Sequence, residues 1–389
     1  MVVLVPPPAI PSPSNCFNKE CFDRSSKIPA EKEKMSSLAN WSDLPQDLAI
    51  SIAKLMVCME DFLSFGAVCK SWRSTATKEN FTGGLKRQVP FLILPEKEGT
   101  ANRELYNLTK VKCFELSGLE VKGHSLFSSL GWLITESKDA KVLTLLHPLN
   151  HTQIKLPENF RYEFIKSFAL SASPSLTSDF VVMVLYHCHR GLAFCRAKDN
   201  EWTRVDAKKR GNNSYFDLTY YREQFYVLDL HGRVLVCDIE DPKKAKTRVV
   251  VPQIPRDTSF EDYQTRLYLV ESAGTLLVVR VSYQDKTIGF RVFEVPFSNC
   301  DWSYSEVKNL GNRTLFLNVF GSSFSIEASN YSGVKSNCIY FRSILFSLDE
   351  EAGSGMCIFD TEDEKSDLRG VFINSSRFAM SYLWIQPSF

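Results

Sequence analysis

Near its start the chain carries apolar residues at helical spacing; farther along, these give way to short extended runs. Leu48, Ile52 and Leu55 are separated by four and three residues, the intervals that line one face of an α-helix. Asp43 stands where it can cap that helix, and Pro45 suits the first turn, where a missing N–H costs nothing. A second helix, capped by Asp61, is expected to carry Phe62, Phe65, Val68 or Cys69, and Trp72 along one stripe. About forty residues rarely bury enough apolar surface to be stable alone, so such a module usually completes its core against a partner. An ordinary helical hairpin packed on its own chain would explain the same stripes.

Past Gly83-Gly84 the period shortens. Val89 to Leu94, Val111 to Leu116, Trp132 to Thr135, Val142 to Leu146 and Phe180 to Tyr186 are rich in Val, Leu, Ile and aromatics. Further such runs lie at Phe216 to Leu218, Gln224 to Leu230, Arg233 to Ile239, Leu267 to Val270 and Leu276 to Val281. The last are Phe290 to Val295, Thr314 to Val319, Cys338 to Phe341 and Met356 to Phe359. Turn residues separate them at intervals of about ten, and no stretch has the length of helical periodicity that a parallel α/β sheet requires. Similar openings at Phe180, Phe216, Leu267 and Leu315 recur near the ~40–50 residues of a propeller blade. The fold class expected is mainly β with a small α module: an N-terminal helical pair, then a β-propeller of about six or seven degenerate blades. The boundaries read as a disordered lead over 1–38, the helical module over 39–82 and the propeller over 83–389.

Composition adds limits. Of 389 residues, 44% are hydrophobic and 23% charged, an ordinary globular balance, and the formal net charge of +1 gives no global field to recruit nucleic acid or an acidic membrane. The clusters Lys208-Lys209-Arg210 and Lys243-Lys244-Ala245-Lys246 sit among turn formers and read as solvated loops. Eleven cysteines without C-x-x-C spacing point to a reducing compartment, with Cys195, Cys237 and Cys338 packing as small hydrophobes. His187-Cys188-His189 resembles a metal tract, but neighbours on a strand point to opposite faces, so no metal site is expected. No segment reaches the ~20 apolar residues of a membrane span, and Pro6-Pro7-Pro8 ends the apolar start too early for a secretory signal.

Catalytic chemistry is hard to find. The chain lacks G-x-S-x-G, H-E-x-x-H, a Walker-type loop and G-x-G-x-x-G. His124, His147, His151, His187, His189 and His231 show no base–orienter spacing. The acidic runs Asp349-Glu350-Glu351 and Glu362-Asp363-Glu364 fall in open loops. Trp132, Trp202, Trp302 and Trp384 read as blade core. No catalytic residue and no cofactor are expected.

Two resemblances carry the functional expectation. Leu44-Pro45, the Ile52/Leu55 pair and Val68-Cys69-Lys70-Ser71-Trp72-Arg73 together resemble an F-box, the motif by which substrate receptors dock on the Skp-type adaptor of cullin–RING ubiquitin ligases. Carried onto this chain, the resemblance implies adaptor contact by Leu44, Pro45, Leu48, Ile52, Leu55, Leu63, Val68, Cys69 and Trp72. Phe216-Asp217-Leu218, Phe225 to Gly232, Tyr268 to Ser272, Trp302, Leu310 to Arg313 with Leu315-Phe316-Leu317, and Asn337 to Phe341 resemble plant F-box proteins with a kelch-like propeller of the KIB type. Glu223-Gln224, where a turn glycine is more usual, and Val295-Pro296-Phe297, in place of a Leu-Asp, depart from that pattern and put local loop shape in doubt. The resemblance implies a non-catalytic receptor subunit in nucleus or cytoplasm that presents a protein substrate, of unknown identity, for ubiquitination. The alternative is an F-box protein acting outside any ligase as a stoichiometric binder.

Overall fold

The computed structural model describes residues 41–389 except 83–87, 97–102, 109–111, 117–124, 137–142, 159–164, 187–190, 206–213, 256–264, 285–286, 298–302, 332, 343–355, 363–364, 368–381 and 389. The expectations for the 1–38 lead, His187-Cys188-His189, Lys208-Lys209-Arg210, Trp302, Asp349-Glu350-Glu351 and Asp363-Glu364 lie outside the described residues.

Trp41–Asp43 forms a single 3₁₀ turn, closed by the Leu44 N–H on the Trp41 carbonyl. From Pro45 onward three helices follow: α1 (Gln46–Leu55), α2 (Met59–Ala67) and α3 (Lys70–Thr75). Neither expected aspartate caps a helix. Pro45 itself occupies the cap position of α1, its carbonyl accepting the Ala49 N–H at 3.0 Å, so Asp43 lies two residues too early. Cys58 stands before α2, and Asp61 lies inside that helix. The expected second helix is two helices. Cys69 is extended (φ −158°), and its sulfur accepts the Trp72 N–H at 3.5 Å, starting α3 afresh. A β-carbon on Gly66 would come within 2.9 Å of the Ala76 methyl, which lets the end of α2 lie tight against the end of α3.

The β region begins with β1 (Phe91–Ile93), β2 (Arg103–Asn107) and β3 (Lys112–Leu116). Four antiparallel four-stranded sheets follow. They are β4 (Ser125–Ser129), β5 (Trp132–Glu136), β6 (Leu143–Leu146) and β7 (Gln153–Lys155); then β8 (Ile165–Leu170), β9 (Val181–Tyr186), β10 (Gly191–Arg196) and β11 (Thr203–Arg204). The next are β12 (Tyr215–Tyr221), β13 (Gln224–Asp229), β14 (Val234–Asp238) and β15 (Lys246–Val251); then β16 (Thr265–Ser272), β17 (Thr275–Gln284), β18 (Thr287–Glu294) and β19 (Ser305–Glu306). The sixth sheet holds β20 (Arg313–Phe316), β21 (Phe324–Glu327), β22 (Cys338–Arg342), β23 (Met356–Asp360) and β24 (Lys365–Asp367), in the order β21-β20-β22-β23-β24 with β20 and β22 parallel. Finally β25 (Leu383–Ile385) pairs antiparallel with β1, Phe91 opposite Ile385, which makes the first blade from both ends of the β region.

The domain is a six-bladed β-propeller. Blade number falls at the lower expected value, and the uneven spacing of the four openings has a simple cause. Phe180 precedes a second strand, β9, whereas Phe216 and Leu267 lie in the first strands β12 and β16, and Leu315 lies in a blade of altered strand order. Apolar clusters fill the spaces between neighbouring blades, for example Phe127, Ile134 and Leu145 of one against Phe168, Val182 and Ala193 of the next. Trp132 and Trp384 are buried there, as are Cys195, Cys237 and Cys338, while Trp202 is half-buried and donates to the Pro157 carbonyl at 3.0 Å.

The inner strands run the same way. The Leu170 N–H at the finish of β8 donates to Ser129 Oγ at the finish of β4, and the Tyr221 hydroxyl at the finish of β12 donates to the Gly274 carbonyl just beyond β16. Between β20 and β21 the segment 317–323 binds other blades. The Ser322 N–H donates to the Ser128 carbonyl at 2.8 Å, the Ser322 hydroxyl reaches Ser129 Oγ and the Phe168 carbonyl, and the Asn318 amide clasps both backbone groups of Trp384. Gly321 sits at φ +110° against the Ser128 backbone, where an added β-carbon would lie 2.3 Å from the carbonyl oxygen. One short segment thereby ties the sixth blade to the first three.

Candidate docking surface

Helix α1 buries its small residues and exposes its large ones. Ala49 and Ala53, one turn apart, are fully buried, while Leu48 is 49% and Leu55 81% exposed and Ile52 is half-buried. The stripe read from the sequence therefore points away from the module's own core. Met59, Phe62, Phe65 and Phe81 fill that core, with Phe62 against Phe81 at 4.9 Å and Phe65 stacked on Trp72 at 4.6 Å. Burying a leucine side chain is worth roughly 1.5–3 kcal/mol, so an outward Leu48–Ile52–Leu55 face is a strong incentive to bind.

Other expected contact residues are distributed unevenly. Pro45 and Val68 are exposed, and Cys69 and Trp72 are half-buried, the cysteine engaged in capping α3 and the tryptophan packed on Phe65. Leu44 is half-buried in the preceding segment. The Leu63 side chain lies outside the described residues. The sequence reading missed Val57, which is 69% exposed just beyond α1. Its signal is an apolar residue in an interhelical link, off the helical stripe.

The link between module and propeller is built from polar side chains. Buried Gln88 accepts the Met59 N–H at 2.9 Å and donates to the Val57 carbonyl at 3.0 Å, and Thr82 donates to the Lys54 carbonyl. The chain then enters β1 beside the finish of β25. Arg73 of α3 acts electrostatically on His151, in the turn after β6, so the helices lie at the finishing end of the inner strands.

Two perturbed titratable groups in the propeller, His147 and Asp217, serve structure. His147 is buried edge-on to Trp132 at 5.0 Å, and its Nδ1 accepts the N–H groups of Leu149 and Asn150. Burial pushes its pKa down to about 4, so the imidazole is neutral and caps a turn. The sign follows directly. Below the ordinary value of 6.5 the unfolded chain takes up a proton that the folded chain refuses, so this group's contribution falls as pH drops from about 6.5 to about 4. We predict that His147→Asn, which keeps an acceptor near Nδ1, removes about 3 kcal/mol of that slope; unfolding free energies between pH 4 and 7 for both proteins check it. Asp217 has the opposite sign. Burial pushes its carboxyl up to about 7, although both oxygens accept N–H groups, from Leu218 and Leu269 at 2.8 Å each, which pins β12 to β16. Its stabilising protonated form is lost as pH rises from 3.8 towards 7.

A cleft of about 260 Å³ lies between the fourth and fifth blades, lined in part by Tyr221, Arg222, Glu294 and Phe297. Its lining contains one departure from the expected pattern, Val295-Pro296-Phe297, and Arg222 on its rim directly precedes the other, Glu223-Gln224. Arg222 and Glu223 form the β12–β13 turn with φ of +44° and +63°, a left-handed conformation that costs side-chain-bearing residues roughly 1–2 kcal/mol each. Arg222 offsets part of this by donating to the Gly274 carbonyl of the next blade. Phe297 stacks on Tyr221 at 5.8 Å.

Comparison with known proteins places these features. Residues 41–82 match the F-box domain model, and residues 103–364 match the model described as KIB1-4 beta-propeller. Three Arabidopsis thaliana relatives align over most of their length. F-box protein SKIP23 is 26% identical over 75% of this chain and 81% of its own. F-box protein At4g35733 is 25% identical over 79% and 90%, and F-box/kelch-repeat protein At1g64840 is 25% identical over 78% and 84%.

Proposed function

Because the chain belongs to the KIB1-4 beta-propeller family and carries an F-box domain, we propose that it is the substrate-recognition subunit of a Skp–cullin–F-box ubiquitin ligase. The observation that carries this reading is the outward Leu48–Ile52–Leu55 face of α1, with Val57 and Val68 exposed nearby in sequence. A Skp-type adaptor would cover that face, and the propeller would hold a client protein. No residue of this chain need react. The receptor accelerates ubiquitin transfer by raising the local concentration of the client's lysines at the charged enzyme. The rigid propeller suits this work, since loops on a fixed scaffold keep a bound client at constant distance from the docked helices.

The full chain is expected to co-elute with a Skp-type adaptor and, through it, with a cullin. Deletion of residues 41–82 should abolish both associations. Adaptor binding that survives the deletion overturns the reading, and adaptor binding without cullin recruitment would assign the chain to stoichiometric binding.

A further inference from the structure

At the starting end of the inner strands, opposite the helical module, two arginines come together with no acid paired to them among the described residues. Arg266 is the second residue of β16, Arg342 the last of β22, and Tyr382 directly precedes β25. Alternation along β16 sets Arg266 on the same side as Tyr268, and its partner across the sheet is Val281, two residues before Tyr283 on β17. The charge of Arg266 acts on the Tyr268 hydroxyl, and the Arg342 guanidinium lies 5.4 Å from the Tyr382 ring centre. Both guanidiniums act on the hydroxyls of Tyr268 and Tyr283.

Among the described residues the arrangement is electrostatically incomplete. Burial, and after it the charge of Arg266, push the Arg342 guanidinium below its ordinary range despite the opposing pull of Tyr382. The Nε of Arg342 is buried and has no hydrogen-bond partner. Among the described residues no carboxylate pairs with either guanidinium; Asp217, the acid that acts on Tyr268, is held by backbone N–H groups. Leaving a buried guanidinium N–H without an acceptor is costly, and buried polar groups are otherwise nearly always satisfied. Burial also raises the pKa values of Tyr268 and Tyr283, so both remain hydroxyl donors at neutral pH.

We propose that Arg266 and Arg342, with the hydroxyls of Tyr268 and Tyr283, form an oxyanion site that takes a phosphate group. Two forked cations match the charge of a phosphate near neutral pH, and its oxygens can accept from both guanidiniums and the hydroxyls at once. The phosphate could be carried by a phosphorylated side chain or by a soluble polyphosphate; the recognition chemistry is shared. The inference does not rest on the ligase reading, since it concerns the chain without its adaptor.

The test is calorimetric titration of the full chain with inorganic phosphate, with inositol hexakisphosphate and with paired phosphoserine and serine peptides, at constant ionic strength. Saturable binding of at least one phosphate compound is expected, weakened at least tenfold in Arg342→Met and in Arg266→Met. Because the Arg342 Nε makes no hydrogen bond and a methionine can keep the contact with the Tyr382 ring, Arg342→Met should melt no lower than the wild type without phosphate. A preference for phosphoserine peptides assigns the source to a protein, and a preference for inositol hexakisphosphate assigns it to a soluble compound. Absence of saturable binding to the wild type, unchanged affinity in both variants, or a destabilised Arg342→Met each overturns the proposal.

Discussion

Replacing Leu48 and Leu55 together by aspartate should remove about 4 kcal/mol of adaptor affinity, about a thousandfold, while leaving the fold intact. Both side chains project from α1 into solvent, so neither aspartate is buried in the free protein. In a complex, each carboxylate would have to be desolvated against apolar partner surface, which adds to the lost leucine contacts. Ala49→Asp and Ala53→Asp make the contrast. Those positions are fully buried, and acids there should unfold the module instead. Surface plasmon resonance against a purified Skp-type adaptor, with thermal melts of each variant, separates the two outcomes. Undiminished binding by the Leu48/Leu55 variant would move the docking surface elsewhere.

Trp384→Ala should be the most destabilising single truncation in the propeller, at about 4 kcal/mol. The indole is 1% exposed and packs edge-on against Phe316 at 4.9 Å, and its backbone groups are held by Asn318 and Ser128. Removing it opens a cavity where the last blade meets the first. Trp384→Phe is a sharper probe, because it keeps most of the contact and deletes an indole N–H that has no partner; it should cost under about 2 kcal/mol. Urea unfolding of the three proteins tests the order. Equal midpoints for Trp384→Ala and the wild type would show that ring closure does not depend on this strand.

Local chemistry explains which features could be read from the chain. The Leu48–Ile52–Leu55 stripe and the Val- and aromatic-rich runs at Gln224, Leu276 and Cys338 were legible because side-chain period and β-branching act over neighbouring residues. The helix starts were not. Pro45 and Cys58, rather than the nearby aspartates, set where α1 and α2 begin. The orientation of the α1 stripe was equally hidden, because periodicity reports that a face exists and cannot say whether its cover comes from this chain or another. Pairing of Phe91 with Ile385 leaves no local trace, and neither does the meeting of Arg266 with Arg342, each an unremarkable strand-end cation on its own.

The composite first blade has a consequence for how the protein is made. On the ribosome, β1 emerges long before its neighbour β25, and throughout translation of the intervening residues its backbone offers an open edge to any stray strand. The circle can shut only once Leu383–Ile385 has emerged. A nascent chain stalled before Leu383 would hold five finished blades and one sticky seam, open to misassembly until β25 is released.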